Sequence, residues 1–190
     1  MKSMYLLCVA IFFYGCEKNQ RVEEAPAAPS EQINKAVKFD DVEGLESVTE
    51  KDAGGAVTLS GYLLNGKKES SWVTYFPTGV IKTLTSYVQD KKEGVYLEFA
   101  DNNTLKKKCI YHNDLRQGEY KEYNYSTLKE ERFYQNGKQE GVTKVYYDTG
   151  KVMEEGSYKN GLRDGVSKWY DQEGNVTIEY EYKNGELIKK

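Results

Sequence analysis

From Val57 onward, apolar residues come in short alternating runs separated by turn residues, and the runs repeat. Gly141 to Gly165 shows one unit, GVTKVYYDTGKVMEEGSYKNGLRDG. Tyr146 stands five residues after the opening glycine. A Thr149-Gly150 turn follows, then Tyr158, then an Asn160-Gly161 turn, and Gly165 begins again. Leu63, Tyr87, Tyr111, Tyr134, Tyr158 and Tyr182 are spaced 24, 24, 23, 24 and 24 residues apart. Tyr75, Phe99, Tyr123, Tyr146 and Tyr170 form a second ladder spaced 24, 24, 23 and 24. The two ladders share one slip, between Tyr123 and Leu128, where one turn residue is missing. A fixed period of this length is the mark of stacked units that each contact their neighbours.

Two and three residues after each member of the first ladder stands a turn pair: Asn65-Gly66, Gln89-Asp90, Asn113-Asp114, Asn136-Gly137, Asn160-Gly161 and Asn184-Gly185. Such pairs tolerate positive φ at both central positions, as a two-residue hairpin turn requires. Thr78-Gly79, Asn102-Asn103, Thr149-Gly150 and Glu173-Gly174 supply a second turn within the unit. A 23–24-residue unit with two turns leaves room for two strands and none for paired helices with loops. The expected fold is all-β: an elongated antiparallel meander of repeated β-hairpins over 57–190, about 50–60 Å long at about 4.8 Å per strand.

Strict alternation predicts the faces. Val142, Lys144 and Tyr146 point one way, and Thr143, Val145 and Tyr147 the other. Ile81, Leu105, Leu128, Val152 and Val176 each precede a ladder tyrosine by six residues, an even number, so they are expected on the tyrosine face. The opposite face of those strands is expected to carry Lys82, Lys106, Lys108, Lys129, Glu131, Glu155, Glu179 and Glu181. That pattern describes a sheet with one wet side. Trp72, Tyr96, Tyr120, Tyr147 and Trp169 fall off the main ladder parity.

The chain before the repeats reads differently. Lys2 is the one charge ahead of Cys16, and Met4 to Tyr14 are almost wholly apolar. That run is too short to span a bilayer and suits a signal-peptide core over 1–15. It ends Phe13-Tyr14-Gly15-Cys16, which resembles the lipobox of bacterial lipoproteins, where the cysteine after a small residue takes the lipid. The resemblance implies lipidation at Cys16; an uncleaved anchor or an ordinary signal peptide are the alternatives, and Cys8 has too little apolar sequence before it. Residues 16–56 hold Glu23-Glu24, Pro26, Pro29 and scattered acids, the composition of a flexible tether, with a short cap over 37–48 left open.

Formal net charge is −3, and no Lys/Arg-rich stripe interleaves with the aromatics along the chain, so nucleic acid is not an expected partner. Cys109 has no disulfide partner if Cys16 is acylated. His112, the single histidine, occupies a slot filled elsewhere by Val88, Gln135, Lys159 and Lys183, which reads as a solvent-facing strand end. Glu130-Glu131 and Glu154-Glu155 are adjacent in strands and point to opposite faces, so neither pair can share a substrate. No catalytic residue, metal site or cofactor is expected. Seventeen tyrosines against six phenylalanines predict rings half-buried with wet hydroxyls.

Tyr158-Lys159-Asn160-Gly161, the run through Gly165 to Trp169-Tyr170, and the Glu173-Gly174 turn resemble the variant MORN repeat family. The resemblance covers about 57–190 and implies a β-hairpin meander used for binding or scaffolding, with no catalytic residue to carry over. Many bacterial members look like lipoproteins, and some are associated with toxin–antitoxin pairs. Trp169-Tyr170 also bears a weaker likeness to choline- and glucan-binding wall repeats. The expected function is thus a non-catalytic, lipid-anchored protein-binding or scaffolding module of the bacterial cell envelope. The alternatives are an antitoxin or immunity-type neutralising protein and a cell-wall glycan-binding module. The expected binding face comprises Trp72, Tyr96, Tyr120, Tyr134, Tyr147, Tyr158 and Trp169. A protein partner is expected, with membrane contact through the N-terminal lipid and edge strands open to homodimerisation.

Overall fold

The computed structural model describes residues 35–189. The expected leader, Cys16 and residues 17–34 of the expected tether lie outside them. Fifteen strands follow one another: β1 (Lys35–Lys38), β2 (Leu45–Lys51), β3 (Val57–Leu64), β4 (Lys67–Tyr75), β5 (Ile81–Val88), β6 (Lys91–Phe99), β7 (Leu105–His112), β8 (Leu115–Asn124), β9 (Thr127–Gln135), β10 (Lys138–Gln139), β11 (Gly141–Tyr146), β12 (Val152–Lys159), β13 (Leu162–Tyr170), β14 (Val176–Lys183) and β15 (Glu186–Lys189). They form one antiparallel sheet in chain order, with the two-residue β10 off the main path and paired to β9. Every described strand lies in this sheet, so neither face meets a second layer of described strands.

The turn pairs form as their residues dictate. All six have positive φ at both central positions, for example Asn136 at 51° and Gly137 at 77°. The shared slip is also a turn effect. Elsewhere the mid-unit turn has four residues, as in Tyr147 to Gly150, closed by the Gly150 N–H donating to the Tyr147 carbonyl at 2.9 Å. Between β8 and β9 it shrinks to Tyr125-Ser126, with φ of 46° and 73°.

Five of the six turn pairs are fastened to the preceding unit by a side chain, and the sixth by the Asn65 N–H donating to the Gly44 carbonyl at 2.8 Å. In the five, the first turn residue donates its N–H to an oxygen just before the preceding unit's opening residue. Gln89 donates to Glu69, Asn113 to Glu93, Asn136 to Gln117, Asn160 to Glu140 and Asn184 to Asp164, at 2.8–3.3 Å. A turn N–H that would otherwise face water thereby becomes an inter-unit bond.

The expected faces need correction: the register shifts at two points in each unit, and while the shift at the turn-pair hairpin, as between Thr85 and Tyr87, adds two residues and keeps the parity, the other breaks it. Where a mid-unit hairpin starts its return, the second strand carries one extra residue. Thr74 pairs with Thr83 but Tyr75 with Ile81, Glu98 with Lys107 but Phe99 with Leu105, and Val145 with Glu154 but Tyr146 with Val152. Such a bulge resets the parity of its strand. The aliphatics Ile81, Leu105, Leu128, Val152 and Val176 therefore lie with the second ladder, Tyr75 to Tyr170, on the face opposite Tyr87 and its equivalents. Hydrogen bonds agree: Tyr75 Oη meets Ser60 Oγ at 3.0 Å, and Tyr146 donates to Glu131 on the same side. Trp72, Tyr96, Tyr120 and Trp169 share the face of Tyr87, Tyr111, Tyr134, Tyr158 and Tyr182, called here the ladder face.

The expected boundary at 57 also moves. Val48 pairs with Gly61, and Ala36 with Val48. The turn from Asp52 to Gly55 closes like the later mid-unit turns, so the sheet starts at β1 rather than after a tether ending at 56. Phe39, Val48 and Asp52 stand 24 residues before Leu63, Trp72 and Phe76. The period was present there without its aromatic signature.

A one-layer sheet has to bury its core among its own side chains, and one row down the ladder face does so by alternating bulky and small residues. Trp72 pairs with Thr85, Thr85 with Tyr96, Tyr96 with Cys109, and Cys109 with Tyr120. Gly156 pairs with Ser167, which pairs with Tyr180. Each ring lies over a small neighbour, and Cys109 and Ser167 are shut off from solvent. The Trp72 indole occupies the space above Gly61 and donates its Nε1–H to the Tyr62 carbonyl at 3.0 Å.

Candidate functional site

Beside that core row, at the turn end of the strands, a second row runs across β4 to β9. It reads Lys68, Tyr87, Lys92, Tyr111, Arg116, Tyr134, one residue per strand. Tyr87 pairs with Lys92 and Tyr111 with Arg116. Each cation sits over aromatic rings. Lys68 Nζ lies 4.5 Å from the centre of a Trp72 ring and 5.3 Å from Tyr87. Lys92 lies 5.1 Å from Tyr111, and the Arg116 guanidinium 5.3 Å from both Tyr120 and Tyr134. This is the cation–π geometry expected of partly desolvated cations over ring faces. Along the chain no basic stripe stands among the aromatics. One exists, assembled by stacking from residues 24 apart in the chain.

The cations differ in how they are balanced. Arg163, the equivalent of Arg116 two units on, lies over Tyr158, Trp169 and Tyr182, donates to Ser167 Oγ at 2.9 Å and pairs with Glu154. Arg132 pairs through both nitrogens with Glu130 at 2.6 Å. Gln139 fills the slot between Arg116 and Arg163. Among the described residues Lys68, Lys92 and Arg116 pair with no carboxylate. Arg116 instead donates to the Tyr134 hydroxyl at 3.3 Å. Burial alone would lower the Arg116 pKa, and its bonds to Tyr111 and Tyr134 outweigh burial and raise it.

The candidate residues named from the sequence divide by burial. Trp72, Tyr120 and Tyr134 are 6%, 5% and 6% exposed, which makes them core. Tyr96, Tyr158 and Trp169 are half-buried on the ladder face. Tyr147 lies beyond the end of β11 in the turn, where its hydroxyl donates to the Tyr170 carbonyl at 2.6 Å. Rings and hydroxyls are engaged with one another: Tyr96 donates to Glu98 at 3.0 Å and Tyr120 to Glu122 at 2.7 Å. His112 is exposed and bonds Glu93 at 2.8 Å. The Cys109 thiol is shut off from solvent, and burial pushes its pKa up. Among the described residues, no three of His, Cys, Asp and Glu come together as a metal site.

These phenols make a pH prediction. Burial, and then hydrogen bonding to Glu98, Glu122 and Glu131, raises the pKa of Tyr96, Tyr120 and Tyr146 above the ordinary 10.0. A folded pKa above the unfolded one gives stability that is complete below the ordinary value and is lost as pH rises through the folded values. The urea midpoint is therefore expected to fall between about pH 9 and about pH 12. The tyrosinate absorbance of these three rings is expected to appear together with unfolding, after that of exposed rings such as Tyr125.

Comparison with protein families finds the MORN repeat variant at three places, residues 92–113, 139–160 and 163–184. Each match begins where a hairpin leaves its turn pair, at β6, β10 and β13, and takes in the next ladder tyrosine. A search among curated proteins gives no match.

Proposed function

We propose, from the premise that this is a protein of the MORN repeat variant family, that it is a non-catalytic binding module held at the bacterial cell envelope by a lipid on Cys16. MORN repeats suggest binding as the kind of work this domain does. The observation that carries the reading is the ladder face: a continuous surface of rings and cations, uncovered by any second layer of described strands, with three cations left without carboxylates. Uncovered charge of one sign in an ordered row is what an interaction surface of complementary chemistry needs. The apolar run before Gly15-Cys16 supports the anchor.

Two measurements test this. Cells fed a clickable fatty-acid analogue are expected to label the wild-type chain and Cys8→Ser, and to lose the label in Cys16→Ser; label retained there would remove the anchor. The full chain, purified in detergent and immobilised, is expected to retain one protein in stoichiometric amount from envelope extract of its own cells. Retention of wall polymer alone, or of nothing, would overturn the protein-binding reading.

A further inference from the structure

We propose that the row Lys68–Tyr87–Lys92–Tyr111–Arg116 is a docking track for an extended acidic peptide with a carboxylate at every third residue. The inference deepens the protein-binding reading above and rests on it.

The spacing carries the argument. Strands in a sheet are about 4.8 Å apart, so cations on every second strand stand about 10 Å apart. A peptide in the polyproline II conformation has three residues per turn and rises about 3.1 Å per residue, so its residues i, i+3 and i+6 face the same way about 9 Å apart. An ideal β-strand puts residues three apart on opposite sides. The track therefore fits the left-handed extended form, and three carboxylates in one line would meet Lys68, Lys92 and Arg116 in order. Tyr87 and Tyr111, both half-buried, lie between the cations and offer ring faces to the intervening residues. Aromatic grooves receive proline-rich segments in this way, because the ligand arrives already ordered.

Charge complementarity selects the ligand's sign. The carboxylates around the row keep their charge, that of Asp114 reaching Tyr87, but among the described residues none forms an ion pair with Lys68, Lys92 or Arg116. Asp90 and Asp114 accept the backbone N–H of Lys68 and Lys92, both at 2.8 Å, at the turn end. Glu98 is held by Tyr96 and Lys107, and Glu122 by the Tyr120 hydroxyl. The three ammonium and guanidinium groups keep their own charge for an incoming anion. The same slots further along the sheet hold a neutral Gln139 and an Arg163 paired with Glu154, which ends the track after three positions.

The probe is a fluorescent (Glu-Pro-Pro)4 peptide, titrated by anisotropy with the full chain in detergent. A peptide of the same composition with its four glutamates clustered at one end is the register control. Binding to the first and about tenfold weaker binding to the second are expected. Lys68→Gln, Lys92→Gln and Arg116→Gln keep most of each side chain's length. Each is expected to weaken binding by about tenfold, the scale of one charge-assisted contact, and the affinity should fall with added salt. Lys67→Gln and Lys91→Gln, adjacent in sequence but on the reverse face, are expected to change it less than about twofold. An unchanged melting curve for each variant separates lost contacts from lost fold. Equal binding of both peptides, equal effects of the reverse-face variants, or tighter binding of a single-stranded oligonucleotide or anionic vesicles would overturn the proposal. If neither peptide binds but the immobilised chain retains a stoichiometric protein that the three variants also retain, this inference fails alone. If nothing is retained, the binding reading fails with it.

Discussion

Replacing Tyr134 with serine is expected to destabilise the protein by about 3–5 kcal/mol, the range for deleting a buried aromatic ring. The ring is 6% exposed and packs edge-on against Tyr120 at 5.9 Å. Its hydroxyl accepts N–H bonds from Arg116 and Arg132 at 3.3 and 3.2 Å. Serine would remove the hydroxyl that both guanidinium groups bond and the ring under Arg116, and leave a hole in a core that has no second layer to collapse into it. Tyr158→Ser, at a half-buried ring under Arg163, is expected to cost less. Urea denaturation of the two variants beside the parent chain measures this, and equal midpoints for Tyr134→Ser and the parent would show that the ring is not core. Lost partner capture by Tyr134→Ser therefore reports lost fold, whereas the lysine variants report the surface.

Gly61→Ala is the second change with a large expected effect. A Cβ built at Gly61 would stand 2.4, 2.6 and 2.8 Å from three atoms of the Trp72 indole, closer than carbon atoms approach without repulsion. The ring must move, losing its Nε1 bond to the Tyr62 carbonyl and its place under Lys68. Overpacking of this kind costs about 1–3 kcal/mol, and here a buried hydrogen bond goes with it. The mechanism predicts strong coupling. In a Trp72→Ala background the added methyl has room, so Gly61→Ala should then cost far less. A double-mutant cycle by urea denaturation checks this, and additive effects would show that the indole does not set the constraint.

What the sequence made legible follows the range of each physical signal. The turns were readable because Asn-Gly and its equivalents act on two residues at a time, and all six pairs form where expected. The period was readable because it repeats. The faces were not, because parity counting assumes that every residue in a strand keeps its place in the ladder. The extra residue at Lys82, Lys106, Lys129, Met153 and Thr177 breaks that assumption once per unit. It carries no fixed residue type that would announce it. The cation row escaped for another reason: Lys68, Lys92 and Arg116 are scattered singly along the chain and become neighbours only through stacking. Aligning the units on the residue five after each ladder member would have shown them. Strands β1 and β2 stay undecided in the sequence, where a cap over 37–48 is left open, because Val48 takes the slot that holds Trp72, Tyr96 and Tyr120 in later units.

The pairing order has a consequence for how the chain reaches this structure. Along the main path each strand pairs with the strand before it and the strand after it, so no contact waits for a distant segment to be found. The entropy of loop closure is spent in small, equal instalments, and folding rates rise as the sequence separation of contacts falls. A hairpin formed at any position offers its edge to the next. During synthesis each unit has its template ready as it leaves the ribosome. A truncated chain keeps a shorter sheet rather than losing its fold at once, with a melting temperature that climbs as units are added. Single-unit deletions followed by calorimetry would display that climb directly.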